Sequence, residues 1–200
     1  MAASKPEFAV PKRTTQVILF AETRGFTRTS EILEPAVVLE RVSEFFALVV
    51  KAIERHGGAV IDVLNDTLMA TFSGAGDAQR AVQAAQDVQR EFSALAEAWE
   101  RDFGIQAAVA MGLHAGDAVI GLATSHVSDQ PLIIGDSVSV AERLLHRARA
   151  GEFVMSDRIM QALGGAQNEL GAEELPPLEI PRRDPIRLFG VLLDTRLDFT

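Results

Sequence analysis

The stretch FAETRGFT, Phe20 to Thr27, decides how this chain is read. The four apolar residues Val17 to Phe20 read as a buried strand. Glu22 stands where that strand ends, and a turn built on Arg24-Gly25 follows. Such a strand end offers a carboxylate to a divalent cation. It also offers phosphates a run of backbone N–H groups, Thr23 to Thr27.

Working outward, Ala36 to His56 places Val38, Val42, Phe45, Val49 and Ile53 at spacings of three and four, which predicts an amphipathic helix. Gly57-Gly58 ends it, and Ala59-Val60-Ile61 opens a strand. Asn65-Asp66 separates that strand from Thr67 to Phe72, a hairpin pattern. A second long helix is predicted over Ala75 to Arg101. Ile105 to His114 and Ala118 to Leu122 read as two hairpin strands around Ala115-Gly116-Asp117. A helix over Asp136 to Ala148, a short strand at Phe153 to Met155 and a helix to Leu163 follow. Gly164 to Pro185, rich in Gly, Pro and Glu, reads as an irregular connection, and Ile186 to Leu193 as the closing strand. The expected class is α+β, with helices on one face of a mostly antiparallel sheet. Residues 1–14 read as a flexible arm, 15–193 as one domain and 194–200 as a tail.

Composition narrows the function classes. Two hundred residues with 48% hydrophobic content suit one globular domain. No run approaches the ~20 apolar residues of a membrane span. The absence of cysteine excludes a disulfide framework and fits a reducing cytoplasm. A net charge of −9 argues against nucleic acid as a partner, and one Trp with no Tyr leaves little base-stacking surface.

Four segments in order carry a family resemblance: FAETRGFT, RHGGAVIDVLNDTLMATF, MGLHAGDAVIGLA and IIGDSVSVAERLLHRA. They are similar to motifs of the class III nucleotidyl (adenylate/guanylate) cyclase catalytic domain family, whose first segment reads FADIRGFT. The resemblance covers roughly residues 15 to 193 and identifies the chain as a divergent member. It implies a ferredoxin-like cyclase fold with added strands. It also implies a head-to-tail homodimer with sites at the interface, or a heterodimer with another cyclase domain.

The resemblance also assigns roles. Glu22 and Asp66 match two acidic residues that hold Mg²⁺ or Mn²⁺ ions, about 4 Å apart in two-metal sites. Glu22 stands where the family has Asp, which moves the carboxylate by about 1.5 Å. Asn65 replaces a Gly. Outside the resemblance, both acids also read as plain turn residues. Asp62 and Leu132 match the purine-reading positions. Leu132 neither donates nor accepts; Asp62 could accept from guanine N–H groups, but reads first as a solvated strand-end residue. Ser139 and Arg143, four apart on one helix face, match the Asn and Arg that stabilise the transition state. Thr23, Arg24, Gly25, Phe26 and Thr27, with Arg187, match the triphosphate contacts. The four histidines read as structural or surface residues.

The departures at Asp62, Asn65, Leu132 and Ser139 lead to the expectation of a degenerate cyclase homology domain in intracellular signalling, impaired or inactive and homodimerising. The alternative is an active, divergent cyclase making a 3′,5′-cyclic nucleotide from a nucleoside triphosphate with Mg²⁺ or Mn²⁺.

Overall fold

The computed structural model describes residues 10–25, 31, 33–124, 129–164 and 169–193. The strands are β1 (Lys12–Arg24), β2 (Ala59–Leu64), β3 (Thr67–Phe72), β4 (Ala108–Thr124), β5 (Asp129–Ile134), β6 (Glu152–Ser156), β7 (Glu173–Leu178) and β8 (Ile186–Leu192). The helices are α1 (Pro35–Arg55), α2 (Asp77–Phe103), α3 (Asp136–Arg147) and α4 (Asp157–Leu163). The strands form one sheet in the order β2-β3-β1-β4-β6-β8-β7, and β5 pairs with β4 off this path. Among the described residues only the β4–β6 pairing is parallel. The chain thus adopts the expected α+β class with a mostly antiparallel sheet.

Alternation along β1 builds two cores. Val17, Leu19 and Ala21 face α1, α2 and α4. There Phe92 stands edge-on to both Phe45 and Trp99, with centroids 5.4 Å apart in each pair. Ile18 and Phe20 face the other way, toward Val140, Ala141, Leu144 and Leu145 of α3. Among the described residues three helices therefore share one face and α3 covers the opposite one, so the helices are not confined to one face as expected. Among the described residues no helix is long and apolar enough to cross a membrane.

Three local expectations change. The segment around Ala115-Gly116-Asp117 is no turn: β4 runs straight through it, with Gly116 opposite Gln16 of β1. The glycine serves close packing instead, because a Cβ there would lie 2.8 Å from the Ser137 Cβ. The hairpin connection falls between β4 and β5, outside the described residues. The segment read as irregular, Gly164 to Pro185, contains β7. That strand tolerates Pro176 and Pro177 because it lies at the sheet edge and its pairing shifts between Leu175 and Leu178. Finally, β1 starts at Lys12, so its first residues fall within the segment read as an arm.

Candidate functional site

The β1–β3 register sets Glu22 opposite Thr67, which brings it beside Asp66 in the β2–β3 turn. Asn65 makes that turn with φ 54°, the left-handed region. Asn adopts this region more readily than other residues with a Cβ, so the turn keeps the shape a glycine would give it. Burial pushes the Glu22 carboxyl above its ordinary value. Arg24 opposes this, Asp66 adds to it, and His146 opposes it. Burial also raises Asp66, against the pull of its own backbone N–H and of Arg24. The two acids are close enough for one to perturb the other.

Their oxygens suit a hard divalent cation in chemistry. Among the described residues no group of three or more His, Cys, Asp or Glu forms there or elsewhere. An ion would rest on this pair together with water or substrate oxygens. Both acids already have an oxygen engaged, Asp66 by its own backbone N–H and Glu22 by Arg24. Arg24 Nη1 donates to Glu22 Oε1 at 2.6 Å, while Nη2 donates to the carbonyls of Leu145 and Ala148 at 2.9 and 3.3 Å. Sequence reading placed Arg24 in a phosphate loop and missed this pairing. The signal was present, since residues two apart on a strand share a face.

The segment matched to the triphosphate contacts is described only as far as Gly25. Thr23 and Arg24 belong to β1, paired with Val109 and Ala108. The Thr23 hydroxyl is buried without a hydrogen-bond partner and lines a small void with Val38, Arg41 and Trp99, on the α1 side of the strand. Gly25 is the turn itself. It has φ 93°, and a Cβ there would sit 2.5 Å from the Gln106 carbonyl oxygen, so no other residue fits. Phe26 and Thr27 lie outside the described residues.

Near Asp62, one of the two positions that the resemblance matches to purine reading, a bulge at Ile61 shifts the register between Val60 and Asp62. Asp62 is exposed, and its Oδ1 accepts the Val63 N–H at 2.8 Å. Leu132 lies on β5 opposite Gly121 and is 45% exposed. Strands β2 and β5 touch, so the two positions border one surface. Large apolar side chains are exposed on both strands: Val63 and Leu64, which point to opposite faces of β2, and Leu132 and Ile134 on β5, where Val119 of β4 pairs with Ile134. The sequence pattern did not reveal this exposure.

Ser139 and Arg143 sit on the exposed face of α3. Arg143 acts electrostatically on Asp136, whose carboxyl is held low chiefly by a two-pronged pair with Arg183 at 2.5 and 2.6 Å. Arg187 is not brought to the carboxylates. It lies on β8, separated from β1 by β4 and β6, donates to Glu174 at 2.9 Å and stacks 5.5 Å from the Phe189 ring centre. Arg183, in the connection between β7 and β8, is the arginine that pairs with α3.

Residues 9–190 match the family described as adenylate and guanylate cyclase catalytic domain. An adenylate cyclase of Anabaena cylindrica is 30% identical over 131 residues, covering 64% of this chain and 26% of that protein. The chain therefore spans about a quarter of that relative's length. Among solved structures, the adenylyl cyclase CyaB from P. aeruginosa superposes with a TM-score of 0.83 at 22% identity, covering 96% of this chain and 100% of that one. A non-canonical dimeric guanylyl cyclase domain from the fungus Blastocladiella emersonii gives 0.76 at 16% identity, covering 90% and 98%. At these identities the two structures speak to the fold, while the family match rests on sequence across nearly the whole domain. The chain belongs to the adenylate and guanylate cyclase catalytic domain family.

Proposed function

We propose that this domain is a degenerate class III nucleotidyl cyclase homology domain, impaired in catalysis and acting in cytoplasmic signalling as a homodimerising regulatory module. The observation that carries this reading is the purine-reading pair. Leu132 presents an exposed alkyl group, and Asp62 spends an oxygen on the N–H of its own neighbour. A site that must recognise a base by hydrogen bonds loses most of its discrimination when such groups are missing. Ser139, too short to stand in for an amide, adds to the deficit. The exposed side chains of Leu64, Leu132 and Ile134, on two strands that touch, support a contact with a second cyclase domain, a copy of this chain first of all.

A second reading, an active divergent cyclase, draws on one observation: Asn65 preserves the turn that sets Asp66 beside Glu22. In that reading Glu22 and Asp66 would hold Mg²⁺ or Mn²⁺, and the ion would supply Lewis acidity to the ribose 3′-hydroxyl and the triphosphate. The Gly25 turn would orient phosphate, and Arg143 would face charge developing on the reacting phosphorus centre. Purified protein incubated with ATP, GTP, CTP and UTP in Mg²⁺ and then Mn²⁺, with cyclic products read by mass spectrometry, separates the two. The degenerate reading expects silence with all four. A cyclic product that disappears in Asp66→Ala would establish the active one.

A further inference from the structure

One guanidinium group joins two parts of the fold. Arg24 Nη1 donates to Glu22, and Nη2 donates to Leu145 and Ala148. Leu145 lies in the last turn of α3 and Ala148 is its C-cap. Carbonyls at that end of a helix have the fewest intrahelical donors and favour a cation. The Arg24 and Glu22 side chains are 27% and 18% exposed, so the pair is not a solvent-screened surface contact. A divalent cation on Glu22 would come within a few ångströms of the guanidinium, where two positive charges repel strongly in a partly buried setting.

We propose that Arg24 is a tethered counter-ion that competes with a divalent cation for Glu22, and that loading the Glu22–Asp66 pair frees the carboxyl end of α3. This rests on reading Glu22 and Asp66 as the cation-binding pair. Arg24 acts as a positioning residue: it holds one carboxylate and one helix end in a single geometry. Because α3 also carries Ser139 and Arg143, cation binding and the placement of those two side chains are linked. The apparent affinity for the cation falls by the fraction of molecules in which Glu22 is free. Breaking a charge-assisted, part-buried hydrogen bond corresponds to roughly tenfold in that fraction.

The test measures Mn²⁺ binding directly by electron paramagnetic resonance on the whole chain, with no turnover required. Arg24→Met keeps the aliphatic stem and removes the charge. It should bind Mn²⁺ about tenfold more tightly than the native chain. Hydrogen exchange on the native protein is the second arm and needs no variant. Saturating Mn²⁺ should speed exchange at the amides of residues 145–149, and this response should vanish in Arg24→Met. Equal affinities in the two proteins would overturn the competition, and unchanged exchange in the native protein would overturn the link to α3. Glu22→Ala with Asp66→Ala separates this inference from the reading beneath it. Mn²⁺ bound undiminished by that double variant would remove the cation site itself.

Discussion

His114 Nδ1 lies 2.8 Å from Ser156 Oγ, tying β4 to β6 one residue beyond their last parallel pair, Leu113 and Met155. Both residues are buried. Burial, reinforced by the charge of Arg158, lowers the His114 pKa from 6.5 to about 4, so the ring is neutral at pH 7. In the unfolded chain it takes up a proton near 6.5. Between these values the unfolded state binds more protons, so stability rises with pH across the window. Stability is lost as pH falls from about 6.5 toward 4, by at most about 3 kcal/mol. Urea unfolding of the native protein and of His114→Gln at pH 7 and pH 4.5 checks this. The native protein should lose more stability on acidification than the variant, and parallel losses would contradict it.

The Asn65 turn gives a prediction of opposite signs. At φ 54° a glycine carries no Cβ penalty, whereas alanine lacks the short polar side chain that makes this region tolerable. Asn65→Gly should leave stability unchanged or raise it by up to about 1 kcal/mol, and Asn65→Ala should lower it by about 1 kcal/mol. Urea midpoints at fixed pH decide the matter. A stabilising alanine would mean that the turn has another shape.

Thr23 separates packing from phosphate binding. Its hydroxyl is buried without a partner, and such a group is unfavourable by about 1–3 kcal/mol. Replacing it with the isosteric methyl of valine should stabilise the fold by about 1 kcal/mol. Thr23→Val should also leave the affinity for a nucleoside triphosphate unchanged, since the side chain faces α1. A calorimetric loss of nucleotide binding in this variant would restore the hydroxyl to the phosphate loop.

Much of the architecture was legible because it follows hydrophobic period. The stripe from Val38 to Ile53 gave α1 to within a residue, and the apolar run before Glu22 gave the buried centre of β1. Gly116 misled because a glycine beside an aspartate signals a turn, while here it answers to Ser137, far away in sequence. The double proline hid β7 because edge position, which excuses proline in a strand, is a property of the assembled sheet. At the site, the pairing of Glu22 with Asp66 was expected from the family resemblance alone, and the β1–β3 register gives it its physical basis. The partner of Arg187 and the reach of Arg183 were not, since both depend on how β7 and β8 lie against the rest of the sheet.

The exposed apolar surface carries the last prediction. Leu64 is 67% and Ile134 65% exposed, on two strands that touch, and neither side chain supports a core. Covering such exposed side chains with a second copy would remove them from solvent. A charge at either position would have to be desolvated in that contact. Leu64→Asp and Ile134→Lys should therefore shift a micromolar solution from dimer to monomer, weakening association by about a hundredfold, with far-ultraviolet circular dichroism unchanged. Sedimentation equilibrium reads the shift directly. A native protein that sediments as a monomer would remove the proposed homodimer, and two variants that remain dimeric would place its surface elsewhere on the fold.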